Sequence, residues 1–131
     1  MLDTHVLVWL DEGSSRLGPR ARAALERAFR AEELAVSAIS FWEIAMLQRK
    51  GRLELDVGLG EWRAELLRMG VVEVPVSGRI GILAAQLENF HGDPADRMIV
   101  ATARSAGAPL LTADERILDW APRRSCRDAR R

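Results

Sequence analysis

The chain has 131 residues, 48% of them hydrophobic and 29% charged. That length and balance fit one globular domain with a real core, and no apolar run approaches the roughly 20 residues of a membrane span. Its 19 basic and 19 acidic side chains cancel, which excludes a global field that would draw in nucleic acid.

Leu2 reads as a very short first strand, and Thr4 to Asp11 as a helix or a continued strand. Gly13 to Pro19 is a connector. Arg20 to Ala31 has apolar residues at helical spacing (Ala21, Ala24, Leu25, Ala28, Phe29), with Pro19 suited to the first helical position. Leu34 to Ala38 is a short buried strand, and Ser40 to Lys50 a helix stopped by Gly51. Gly60 to Met69 is a helix closed by Gly70, followed by a β-branched strand from Val71 to Val74 and by Pro75. Ser77 to Asn89 and Pro94 to Ala106 are helical, the second ended by Gly107. Pro109 to Thr112 is a strand, Ala113 to Trp120 holds a short helix, and the last ten residues look irregular. Strands alternate with helices, which predicts an α/β fold with a parallel sheet covered on both faces. Trp9, Trp42 and Trp62 are expected mostly in the core, with Trp42 alternatively packing against a protein partner or across a dimer.

Cys126 is the only cysteine and stands in the polar tail, where it is expected to be inert. A disulfide framework and a cysteine-based zinc site are therefore excluded. The amino terminus has no basic region ahead of an apolar one, so no signal peptide is expected. Both features point to the cytoplasm. Two arginine clusters stand out: Arg16, Arg20, Arg22, Arg27 and Arg30, and then Arg123, Arg124, Arg127, Arg130 and Arg131. Either is able to contact phosphates, or is simply a solvated helix face and a frayed end.

Four acids each follow a short apolar run and open a helical pattern: Asp3, Glu43, Asp96 and Asp114. In an α/β fold the carboxyl ends of parallel strands share one edge of the sheet, so acids spread over 111 positions can converge there. Each also has a structural explanation. Ser40-x-x-Glu43 is a capping-box pattern. Asp93-Pro94-Ala95-Asp96 combines an N-cap, a first-turn Pro and a first-turn acid. Asp114 follows Thr112, itself a possible N-cap, and any acid at a helix start gains about 0.3–1 kcal/mol from the macrodipole. Asp3 has the weakest such explanation, because it directly follows the first strand. Two carboxylates ~4 Å apart repel by ~4 kcal/mol at an effective dielectric near ~20. Four of them together call for a neutralising cation. All-oxygen ligation suits Mg²⁺ or Mn²⁺, and the chemistry that follows is metal-assisted hydrolysis of a phosphodiester. Glu43 or Asp114 is alternatively a general base that orients the water.

These segments resemble PIN-domain ribonucleases, specifically the VapC-type toxins of bacterial toxin–antitoxin pairs. The resemblance runs from Met1 to about Asp119. It is carried by Leu2-Asp3-Thr4-His5, Ser37-Ala38-Ile39-Ser40-Phe41-Trp42-Glu43-Ile44-Ala45, Lys50-Gly51-Arg52-Leu53, the stretch from His91 to Ala103 around Asp93-Pro94-Ala95-Asp96-Arg97, and Leu111-Thr112-Ala113-Asp114. It implies a three-layer α/β/α fold with a short central parallel sheet, residues 1–121 forming the nuclease domain and 122–131 a basic, flexible tail. It implies that Asp3, Glu43, Asp96 and Asp114 surround Mg²⁺ or Mn²⁺, with Asp3 and Asp96 as the direct ligands. It further implies an RNA substrate, a cognate antitoxin lying across the toxin groove, a homodimer, and a block of translation by cleavage of RNA.

The chain departs from the family in two ways. Only Met1 and Leu2 precede the first acid, and the tail after Trp120 lacks an apolar final strand. Secondary candidates are Arg97 for a substrate phosphate, Thr112 for a metal-bound water, and Asp93 as helix cap or metal contact. His5 and His91 are candidate general acids that a metal mechanism does not need, and are expected as loop or core residues. A receiver domain would need paired acids after the first strand and a late Lys, whereas Asp3 stands alone and Lys50 ends a helix. Glycine-rich phosphate loops are absent. The alternatives are a housekeeping PIN nuclease, or a non-catalytic RNA-binding or interaction module on the same fold.

Overall fold

A computed structural model describes residues 1–131. The elements in chain order are α1 (Thr4–Asp11), α2 (Pro19–Arg30), β1 (Ala35–Ser37), α3 (Ile39–Arg49), α4 (Leu59–Arg68), β2 (Val72–Val74), α5 (Gly78–Ala85), α6 (Pro94–Ser105), β3 (Leu110–Thr112), α7 (Glu115–Trp120) and β4 (Cys126–Asp128). β1 pairs with β2, and β3 with β4, all in parallel. Leu2 bridges Val36 on one side and Leu111 on the other, also in parallel, and so joins the two pairs. The spatial order is β2-β1-Leu2-β3-β4, with a central strand that is a single bridging residue.

That minimal strand is anchored on both sides by the backbone. Leu2 N donates to Ala35 O at 2.8 Å, Leu111 N to Met1 O at 3.0 Å, and Asp3 N to Leu111 O at 3.0 Å. The terminal ammonium adds a bond to Pro109 O at 3.2 Å. Shortness is offset by position: Leu2 is paired on both edges and is 1% exposed. Period-two alternation then sorts neighbours to opposite faces. Leu2, Val36 and Leu111 pack with Val6, Leu7, Leu25, Ile44 and Trp62 of α1 to α4. Met1, Ala35 and Leu110 pack on the other face with Ile99, Val100 and Ile117 of α6 and α7.

The structure departs from the sequence expectations in several places. Thr4 to Asp11, read as helix or strand, is the helix of those two readings, and the Asp3 side chain caps it. α5 stops at Ala85 and does not reach Asn89, which has φ 55°; carbonyls that a longer helix would have used are taken by the Arg97 guanidinium. The tail is not wholly irregular: Cys126–Asp128 is a strand. Its polar sequence hid it, since an edge strand needs only one bonded side and charge on the other guards the edge. Leu110 N donates to Ser125 O and Ala129 N to Thr112 O, both at 2.8 Å. Trp62 is core, but Trp42 is 56% exposed, because Phe41 and Ile44 are the residues that α3 turns inward. No helix is long and apolar enough to cross a membrane.

Candidate active site

The carboxyl edge of the sheet carries a cavity of about 180 Å³ bordered by Asp3, Glu43, Asp96 and Asp114, with Trp9, Leu47 and Leu53 on its apolar side. Each acid arrives from a different junction. Asp3 ends the Leu2 strand and caps α1, Glu43 is in the second turn of α3, Asp96 is in the first turn of α6, and Asp114 caps α7.

Asp3 is only 3% exposed. Its Oδ1 accepts from Thr4 N at 2.7 Å and its Oδ2 from the Thr112 hydroxyl at 2.6 Å. The Thr112 oxygen also accepts from Asp114 N at 3.0 Å. Thr112 therefore clamps two acids and is not the N-cap of α7; Asp114 is that cap. His5 braces the same corner, with Nε2 accepting from Ala113 N at 2.9 Å and Nδ1 3.6 Å from Asp3 Oδ2.

Glu43 is not part of a capping box. α3 begins at Ile39 and its N-cap makes no side-chain bond. Instead Glu43 Oε1 lies 2.5 Å from Thr4 Oγ1, which is also 2.9 Å from Ser40 Oγ. The carboxylate can only accept, so the Thr4 proton points to it. Burial raises the Glu43 carboxyl above its ordinary range; the Thr4 bond opposes the shift, and the charges of Asp3 and Asp93 add to it.

Asp96, 8% exposed, is the most strained of the set electrostatically. Burial first, and then Asp3, Asp93, Glu43 and Asp114, push its carboxyl up to about 7. Asp93 is the helix cap, its Oδ1 accepting from Asp96 N at 3.2 Å. Asp114 behaves in the opposite way. Burial would raise it, but side-chain and backbone bonds from Arg116 outweigh that and hold it below its ordinary value.

Two further residues reach the cluster: Arg116, which the sequence does not single out, and His91, a candidate general acid expected as a loop or core residue. Arg116 places NH2 3.0 Å from Asp114 Oδ2 and 3.5 Å from Asp96 Oδ2. His91 places Nε2 3.3 Å from Asp96 Oδ2. That nitrogen is buried and has no partner of hydrogen-bond geometry. Its Nδ1 accepts from Asp93 N at 3.3 Å, which turns Nε2 toward the acids. Potential ligand atoms of His91, Asp96 and Asp114 all lie within 4.8 Å of one another. His91 opens the segment that carries Asp96 and stands two residues before the α6 cap, which is the only sequence signal of its proximity.

Arg97, by contrast, does not face the cavity as a phosphate contact. Its Nε donates to Ala84 O at 2.9 Å, and its two terminal nitrogens to Phe90, His91, Ala85 and Leu87 carbonyls at 2.9–3.3 Å. A guanidinium has five N–H groups, and all are spent on the end of α5 and the loop that carries His91.

The donor set fits a divalent cation that prefers oxygen. Carboxylates dominate, one imidazole nitrogen lacks a partner, no thiol is near, and a carboxyl pushed to about 7 marks more negative charge than the buried site tolerates alone. Asp96, Asp114 and His91 bring ligand atoms within 4.8 Å of one another, and Asp3 and Glu43 border the same cavity.

Comparison with known proteins identifies the family. The PIN domain model matches residues 1–121. The chain is 38% identical over 118 residues to Ribonuclease VapC22 of Mycobacterium tuberculosis, a match spanning 89% of this chain and 88% of that protein. Its fold is similar to that of a chain in a toxin–antitoxin complex from Klebsiella pneumoniae, with a TM-score of 0.61 at 20% identity over 98% of this chain and 95% of the other. The chain belongs to the PIN-domain family and, within it, to the VapC-type ribonucleases.

Proposed function

We propose that this protein is a metal-dependent endoribonuclease, the toxin of a bacterial toxin–antitoxin pair that acts in the cytoplasm by cutting RNA and blocking translation. The observation that carries the reading is the meeting of Asp3, Glu43, Asp96 and Asp114 around one small cavity, with Asp96 pushed to about 7. A binding module gains nothing from such mutual repulsion; a cation site needs it. The ribonuclease name of the M. tuberculosis relative and the antitoxin in the K. pneumoniae complex support the substrate and the partner. A homodimer is part of the proposal.

In this reading Asp3, Asp96 and Asp114 hold Mg²⁺ or Mn²⁺. A cation held there would supply charge to steady the phosphoryl oxygens and would make a water more acidic. Glu43 is the proton acceptor for the attacking water. Burial raises its carboxyl toward the working pH, and Thr4 occupies only one of its oxygens. Thr112 and Thr4 orient the acids and take no proton. Leu47, Leu53 and Trp9 limit water at the apolar wall.

The test is cleavage of a labelled RNA by purified, folded protein with Mg²⁺, with Mn²⁺ and with EDTA, repeated on Glu43→Gln. Metal-dependent cutting that the variant loses is the expected result. An absence of cutting with either metal, or equal cutting by the variant, sinks the enzyme reading.

A further inference from the structure

Two arginines of the first cluster and three of the second meet on one surface in the fold. The carboxyl-terminal residues lie against the start of α2: Gly18 N donates to Ala129 O at 2.9 Å and Arg20 N to Arg131 O at 3.0 Å. The approach is so close that a Cβ at Gly18 would collide with the Arg131 carbonyl carbon. Backbone contact thus brings distant parts of the chain into register.

Between α2, α7 and β4 this creates a groove of about 930 Å³. Arg20, Arg27, Arg123, Arg127 and Arg131 line it against only two acids, Asp119 and Asp128. Asp128 is already engaged, by Arg130 at 2.9 Å and Arg131 at 3.7 Å. Arg20, Arg27, Arg123 and Arg127 make no ion pair and are exposed. Three other arginines of the first cluster have partners elsewhere. Arg22 bonds to Leu17 and Ser14 carbonyls, Arg16 lies over the Trp9 ring, and Arg30 pairs with Glu26. What is left is a set of like charges converging on open space above an apolar floor that includes Leu111 and Leu118.

The groove and the acidic cavity share α7. Its first residues, Glu115 and Arg116, meet Arg130 and the acids Asp114 and Asp96; Leu118 and Asp119, one turn later, line the groove. We propose that this groove binds the sugar–phosphate backbone of a single-stranded RNA on its way to the acidic cavity. The proposal rests on the reading of that cavity as the cleavage site. Guanidinium forks match phosphate oxygens and stack on bases, which a narrow acidic peptide would not exploit. With zero formal net charge overall, attraction has to come from such a patch.

The test is fluorescence anisotropy of a labelled single-stranded RNA in EDTA, so that binding is read whether or not the protein cuts. Affinity is measured between ~50 and ~200 mM salt for the wild type, for an Arg20→Ala/Arg27→Ala/Arg127→Ala triple variant, and for the corresponding Arg→Lys triple. Removing one phosphate-binding charge flattens the slope of log affinity against log salt by about 0.7. The alanine triple is expected to lose about two units of slope and at least ~10-fold in affinity, and the lysine triple to keep the slope. Because these side chains are exposed, both variants are expected to melt like the wild type. Equal RNA affinity and slope in the folded alanine triple overturns the proposal. So does loss by that variant of binding to a polyglutamate peptide with RNA binding intact, which would assign the groove to an acidic protein partner. Failure of the cleavage reading alone leaves the salt dependence in place and is thereby told apart.

Discussion

The Thr112 hydroxyl donates to Asp3 Oδ2 at 2.6 Å across 109 positions of sequence, and the same oxygen accepts the backbone N–H of Asp114. A residue with no accessible surface thus sets the spacing of two acids from two strands. Removing the hydroxyl in Thr112→Val leaves a buried carboxylate oxygen and a backbone N–H short of a partner. A loss of about 1–3 kcal/mol in urea unfolding is expected, with metal affinity down about tenfold as Asp3 loses its orientation. Wild-type stability and metal affinity in the variant would show that the clamp does not matter.

The raised carboxyl of Asp96 fixes a sign. Its folded value of about 7 stands above the ordinary 3.8, so the folded state holds this proton more tightly than the unfolded one does. Its contribution to stability is full below ~4 and is lost as pH rises to ~7. In metal-free protein, thermal melts of wild type minus Asp96→Asn should therefore show a difference that worsens for the wild type across that window. Glu43 is shifted in the same direction and Asp114 in the opposite one, which is why the difference, and not the raw profile, is the measurement. A flat difference contradicts the assignment.

Arg97 is a positioning residue for the loop from Gln86 to His91. Arg97→Met strips the donors from five carbonyls, and a destabilisation of about 2–4 kcal/mol is expected. Arg97→Lys should rescue little of it, since an ammonium cannot copy the planar fork. Hydrogen exchange in residues 86–92 reads the effect directly. Unchanged protection there in the Met variant would refute it.

Arg116 stands where a cation would be welcomed. It is largely exposed, so solvent screens its pairing with Asp114 and Asp96 and the pairing is weak. Arg116→Ala should tighten Mn²⁺ binding by no more than about fivefold, because the competing charge is gone. Weaker binding in the variant would mean that Arg116 supports the metal site.

Much of this arrangement is legible in the sequence. The junction rule for parallel sheets predicts that Asp3, Glu43, Asp96 and Asp114 meet, and the Asp93-Pro94 cap marks the start of α6 to the residue. What escapes has no local signature. Glu43 satisfies a capping-box pattern but bonds to Thr4, because α3 starts one residue earlier and turns it toward α1. Arg97 resembles a phosphate contact because its partners are backbone carbonyls, which no sequence pattern encodes. β4 is hidden by its polar residues, and the exposure of Trp42 by a helix face that hydrophobicity alone does not orient.

The central claim is that four acids from four junctions form one divalent-cation site. Isothermal titration of Mn²⁺ into the wild type and into Asp3→Asn, Glu43→Gln, Asp96→Asn and Asp114→Asn tests it most directly. One saturable site in the wild type, weakened at least ~10-fold by Asp3→Asn and by Asp96→Asn and measurably by the other two, is the predicted result. Undetectable binding in the folded wild type, or affinity indifferent to Asp3 and Asp96, would contradict it.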